Sequence, residues 1–131
     1  MNITSAVLVA EAKARINNVS PENALQSMEH GNTTMLDLRE KEELDLNGTI
    51  PGAIHIPRGM LEFAVDPGHP AFKEGITPDK SFILACASGA RSALATETLH
   101  QLGFSDVSNL EGGFTAWKAQ GLPTNPPAEQ A

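Results

Sequence analysis

Residues 81–92, Ser81-Phe82-Ile83-Leu84-Ala85-Cys86-Ala87-Ser88-Gly89-Ala90-Arg91-Ser92, decide how the rest of the chain is read. A short uncharged apolar run predicts a buried strand, and a helix is expected from about Ser92 to Leu102. Between them lies a loop that opens on the only cysteine of the protein. A loop closing onto a helix N-terminus aims several backbone N–H groups at one point, with the positive end of the helix dipole behind them. A thiolate, a persulfide or a bound oxyanion would be stabilised there, and a cysteine so placed should ionise readily. Gly89 fits a tight turn that needs positive φ. On its own, a cysteine at a strand end is more often a small buried hydrophobe than a nucleophile. Gly89, Arg91 and the strand-loop-helix setting tip the reading towards chemistry. An arginine at a helix N-terminus opposes the dipole, so Arg91 is expected to answer to something negative in the loop.

Strands and helices alternate on both sides of this stretch. An N-terminal helix is expected over Ser5 to Arg15, with Ile3, Val7, Ala10 and Ala14 as its inner stripe. Ser20 and Pro21 read as the N-cap and first position of a second helix, which should end near His30 with Gly31 beyond it. Thr34 to Leu38 reads as a core strand, with Asp37 and Arg39 at its end in a structural role. Glu40 to Leu46 reads as a short acidic helix, and Ala53 to Ile56 as another strand. Arg58 stands just past that strand's end; it is a candidate for the substrate pocket, its plainer reading being a surface residue or loop anchor. Asp106 to Leu110 is the next strand, and Gly112-Gly113 turns into a last helix carrying Phe114 and Trp117 on one face. None of the four histidines has metal-ligand spacing to another, and His55 is expected to serve structure. The alternation predicts an α/β fold with a mainly parallel sheet, whose strand ends are where ligands bind.

The whole chain sets outer bounds. A length of 131 residues is one domain. Its 40% apolar content is enough for a single core. The net charge of −7 argues against nucleic acid or an anionic membrane as the main partner. An anionic substrate would have to be drawn by a local positive pocket. A single cysteine excludes an intrachain disulfide framework and suits a reducing compartment, so a cytoplasmic protein is expected. The five-residue apolar run Ala6 to Ala10 is too short for a signal segment, and no stretch approaches a membrane span.

Four motifs occur in order: Asp37-Leu38-Arg39-Glu40, Gly48 to Pro57, Cys86 to Ser92, and Leu110 to Trp117. Together they resemble the single-domain rhodanese-like sulfurtransferases, over about Val19 to Pro123. The resemblance implies a five-stranded, mainly parallel sheet flanked by helices on both faces. It divides the chain into a helical extension over 1–18, a rhodanese-like domain over 19–123 and a disordered tail over 124–131. It also implies that Cys86 accepts a sulfane sulfur as a persulfide and passes it on. Ala87, Ser88, Gly89, Ala90 and Arg91 would form the substrate-binding cradle, with Arg58 as a further candidate. The partners would be a small sulfur donor such as thiosulfate and a thiol or cyanide acceptor, or a protein acceptor, with no metal or organic cofactor required. Two other readings stand beside this one. Some rhodanese-like domains are non-catalytic interaction modules, though many of those lack the cysteine kept here. The cysteine phosphatases and related arsenate reductases carry a Cys-x5-Arg loop around phosphate. In this chain the spacing is Cys-x4-Arg, Ser92 stands where that arginine would be, and Ala85 replaces the usual preceding histidine.

Overall fold

The computed structural model describes residues 2–128. Its centre is a five-stranded parallel sheet in the order β1-β5-β4-β2-β3. The strands are β1 (Asn17–Val19), β2 (Thr33–Asp37), β3 (Ile54–His55), β4 (Ser81–Ala85) and β5 (Val107–Leu110). The helices are α1 (Ser5–Arg15), α2 (Pro21–Glu29), α3 (Lys41–Asn47), α4 (Leu61–Ala64), α5 (Ala90–Gln101) and α6 (Gly113–Ala119).

The central strand β4 explains why both faces of the sheet are covered. Side chains alternate along a strand, and here both alternating sets are apolar. Phe82 and Leu84 join Leu36, Val107, Ala95, Leu99 and Phe104 in one core cluster, on the face where α5 packs. Ile83 and Ala85 join Met35, Leu110, Ala24, Phe114 and Trp117 in the other, under α2 and α6. Trp117 is wholly buried, and its indole N–H donates to the Pro123 carbonyl at 2.8 Å, so the ring is both packed and satisfied. The expected α/β architecture is therefore the one observed.

Local signals placed several boundaries well. Ser20 caps α2, its hydroxyl accepting from the Asn23 N–H at 3.2 Å, and Gly31 follows the helix at φ +78°. Asp37 and Arg39 have the structural role expected of them. Arg39 is buried, donates to the Asp37 carboxylate at 2.8 Å and to the Gly48 carbonyl at 3.0 Å, and lies 4.0 Å over the Phe114 ring. His55 is structural too, its Nε2 bonded to the Arg39 carbonyl oxygen at 2.7 Å.

Three expectations change. The inner stripe of α1 is not Ile3, Val7, Ala10 and Ala14, all of which are exposed; Ala12 is its buried residue. The helix lies against α5, with Arg15 reaching Glu97 at 3.0 Å, so a narrower strip turns inward. The boundary drawn after residue 18 falls inside β1, which pairs with β5 from Asn17↔Ser108 to Val19↔Leu110. The tail drawn from 124 begins with bonded residues. Asn125 forms an antiparallel bridge with Thr49, and the Ala128 N–H donates to the Asp45 carbonyl at 2.9 Å. The last three residues of that tail, 129–131, lie outside the described ones.

Candidate active site

The strand order reverses between β2 and β4: from β2 the chain steps outward to β3, and from β4 the other way to β5. Ligand sites in open parallel sheets lie in the crevice at such a reversal, beyond the carboxyl ends of the strands. Cys86 is the first residue past β4 in that crevice, and α3 follows β2 on its other side. The loop is shaped by glycine at two places. Gly89 adopts φ +96°, reversing the chain so that α5 starts at Ala90, slightly ahead of the expected Ser92. Gly113, at φ +60°, faces the loop from the start of α6, where a β-carbon would sit 2.5 Å from the Cys86 oxygen and 2.6 Å from that of Ala87. Those two carbonyls instead accept from the N–H groups of Phe114 (2.8 Å) and Thr115 (3.0 Å). With its carbonyls pinned to α6, the loop turns its own N–H groups inward.

The cysteine sulfur is the focus of those donors. The Gly89 N–H lies 3.1 Å from Sγ and the Ser92 hydroxyl 3.3 Å. Burial pushes the Cys86 thiol up. The Ser92 hydroxyl and the backbone N–H groups of Ser92, Gly89 and Ser88 pull it down further, and the net effect is a depressed pKa. The Ser92 hydroxyl also lies 2.6 Å from Asn109 Oδ1, and one proton serves both acceptors. The Asn109 amide is oriented by its Nδ2, which donates to Asn18 Oδ1 at 3.1 Å and to the Gly89 carbonyl at 3.3 Å. A reactivity test follows. The rate of alkylation of Cys86 by iodoacetamide should rise with pH through a midpoint below about 8.5, the value of a free thiol. A midpoint at or above that value would contradict the donor arrangement.

Arg91 does not stand free beside the sulfur. Its Nη1 and Nη2 donate to Glu43 Oε2 and Oε1, each at 2.8 Å, across the crevice from α5 to α3. Glu43 Oε2 also accepts from the Glu40 N–H at 2.7 Å, completing a capping box at the start of α3. The hydrogen bond from Arg91 holds the Glu43 carboxyl down at about 2, against the cost of its partial burial. Arg91 is in turn held protonated, first by Glu43, with the charge of nearby Cys86 adding to it. Arg91 is thus paired with a carboxylate while lying within electrostatic reach of the cysteine.

A family model described as the rhodanese-like domain matches residues 20–120 of this chain. The chain belongs to the rhodanese-like family. A sulfurtransferase of Allochromatium vinosum is 32% identical over 109 residues, covering 82% of this chain and 94% of the relative. Among solved structures, a protein of unknown function from Rhodopseudomonas palustris, described as a possible tyrosine phosphatase, superposes with a TM-score of 0.89 at 35% identity. That alignment covers 95% of this chain and 96% of the other. The polysulfide-sulfur transferase homodimer of Wolinella succinogenes gives a TM-score of 0.76 at 34% identity, over 90% of this chain and 84% of its own.

In this rhodanese-like chain the crevice collects Cys86, the loop residues Ala87, Ser88, Gly89 and Ala90, and Arg91. It does not collect Arg58 in the same way. The Arg58 guanidinium is bonded to Glu62 at 3.0 Å and to the Thr98 hydroxyl at 3.4 Å, and Thr98 lies two turns along α5 from Arg91. Its bonds are those of the loop-anchor reading. Glu43, Asn109, Asn18 and Gly113 were not singled out from sequence. Glu43 carried one usable signal, its position three residues after Glu40, which marks the start of a capped helix. Two hollows flank the loop. One, of about 540 Å³, runs from α1 (Val9, Lys13) to Ala90, Arg91 and Leu94; the other, about 360 Å³, lies by Ala87, Thr115 and Lys118.

Proposed function

We propose that this protein is a sulfurtransferase in which Cys86 carries sulfane sulfur between a small donor and a thiophilic acceptor. One observation carries the reading: Sγ sits in a ring of N–H and O–H donors, with a depressed pKa. Such a ring stabilises a sulfur anion, both the resting thiolate and the persulfide that replaces it. The thiolate attacks the outer sulfur of thiosulfate; the Sγ–S bond forms as the S–S bond to the sulfonate breaks, and sulfite leaves with the bonding pair. An acceptor thiolate or cyanide then attacks the outer sulfur of the persulfide, giving a new persulfide or thiocyanate and regenerating the Cys86 thiolate. With no second cysteine in the chain, the acceptor comes from outside it. The activity of the Allochromatium relative, by its name, supports the reaction class. A thiol that must cycle as thiolate suits a reducing compartment, and the cytoplasm is the proposed location. The first test is the rate of sulfur transfer from thiosulfate to cyanide. The expected result is a rate above the protein-free background; a rate equal to that background would count against the reading.

The description of the Rhodopseudomonas neighbour makes a phosphatase the second reading to weigh. A phosphatase loop must close amides around a tetrahedral phosphate. Here the loop is one residue shorter between cysteine and arginine, and Arg91 is engaged by Glu43. Hydrolysis of a generic aryl phosphate is therefore expected to stay at background. Robust turnover that depends on Cys86 would replace the sulfurtransferase reading with this one.

A further inference from the structure

The one arginine of the loop faces a carboxylate across the strand-reversal crevice, and that pairing bears on which donors the site accepts. Glu43 is fixed independently of Arg91, because its oxygen is anchored on the Glu40 N–H at the start of α3. Both carboxylate oxygens then meet the guanidinium at 2.8 Å, the two-point geometry that makes arginine-carboxylate pairs strong. Glu40 and Glu42 add negative charge in the same turn, against Lys41 paired with Asp45; of the other cations, Arg39 is itself paired with Asp37, and Lys13 and Lys118 line the hollows that flank the loop. The local positive pocket that an anionic substrate needs on a chain of charge −7 is thus largely neutralised at its own arginine.

We propose that Glu43 sets the charge selectivity of the site, disfavouring dianionic sulfur donors relative to donors of lower charge. The proposal deepens the sulfurtransferase reading and rests on it for the word donor. A dianion such as thiosulfate must take Arg91 from Glu43 or sit beside the carboxylate. An alkyl hydropersulfide, more acidic than a thiol and so largely a monoanion near neutral pH, meets less of either difficulty and reacts through its protonated form. Cys86 thiolate attacks its outer sulfur, the Sγ–S bond forms as the S–S bond breaks, and the alkyl thiolate leaves with the pair. The proton on the transferred sulfur passes to solvent.

The deciding experiment does not need turnover. Cys86 is alkylated with neutral iodoacetamide at fixed pH and constant ionic strength while sulfate, an inert dianion, replaces chloride. Wild type should be protected by sulfate little better than by chloride. Glu43→Gln keeps a side-chain acceptor for the Glu40 N–H and removes the charge, so the half-protecting sulfate concentration should fall about tenfold or more. Glu43→Ala should gain at least as much, and adding Arg91→Gln to Glu43→Gln should abolish the gain. In turnover, Glu43→Gln should raise the ratio of kcat/KM for thiosulfate over an alkyl hydropersulfide by a similar factor. Strong sulfate protection of wild type would overturn the proposal, as would no gain in either Glu43 variant or a gain that survives loss of Arg91. If no donor is turned over, the sulfurtransferase reading fails, while the sulfate series still decides what Glu43 does to anions.

Discussion

Cys86→Ser is expected to bring sulfur transfer down to the uncatalysed background, a loss on the order of 10³-fold or more, because no other group in the chain can form a persulfide. A hydroxyl has the size and direction to keep the Gly89 and Ser92 partners but not the chemistry. The fold should survive, with a stability change of about 1 kcal/mol, typical of a single substitution that leaves no orphaned polar group. Thermal melting and thiosulfate-to-cyanide kinetics on the same preparation separate the two effects. Near-wild-type transfer in a folded Cys86→Ser variant would remove Cys86 from the mechanism.

Arg91→Ala is expected to have the second largest effect, and for two reasons that add. Loss of a charge-assisted hydrogen bond to the donor or persulfide should cost roughly 1.5–3 kcal/mol in transition-state binding. That is about ten- to over a hundredfold in kcat/KM. The same change leaves the Glu43 carboxylate facing the crevice without its counter-ion, which should place thiosulfate at the upper end of the range. Adding Glu43→Gln to Arg91→Ala should recover part of the loss for thiosulfate. Arg91→Lys should recover part as well, since a point charge cannot bond both Glu43 oxygens as the planar fork does. An alkyl hydropersulfide, of lower charge, should suffer less than thiosulfate. Equal losses for both donors would mean that Arg91 shapes the loop alone, and no loss for either would take it out of the reaction.

The strand-loop-helix around Cys86 was legible because its signals are local: an uncharged apolar run, a glycine that must reverse the chain, and the residues that follow it. The same holds for the Ser20 cap and the Gly31 stop. What could not be read lies in pairs distant along the chain. Glu43 and Arg91 are 48 residues apart, and Asn109 and Asn18 are 91 apart. Neither pair has a local pattern, and each exists only because parallel strands bring the ends of β2, β4, β5 and β1 to one side of the sheet. Strand β1 was missed because three residues, two of them asparagine and exposed, show no alternation. Its pairing with β5 is what brings Asn18 to Asn109. The stripe of α1 was misjudged because periodicity gives a face and not the partner, and α5 selects a different strip. Arg58 shows the same limit. Its place past a strand end made it a site candidate beside the plainer loop-anchor reading, and the structure adds its ion pair with Glu62 one turn on.

Intact mass tests most directly whether Cys86 holds a transferable sulfur. The protein is incubated with thiosulfate and, separately, with an alkyl hydropersulfide, desalted, and weighed before and after addition of cyanide. The expected result is a gain of one sulfur atom on the wild-type chain, with more complete loading from the hydropersulfide, removal by cyanide, and no gain on Cys86→Ser. No added sulfur from either donor, on protein whose Cys86 is still alkylated readily by iodoacetamide, would contradict the account.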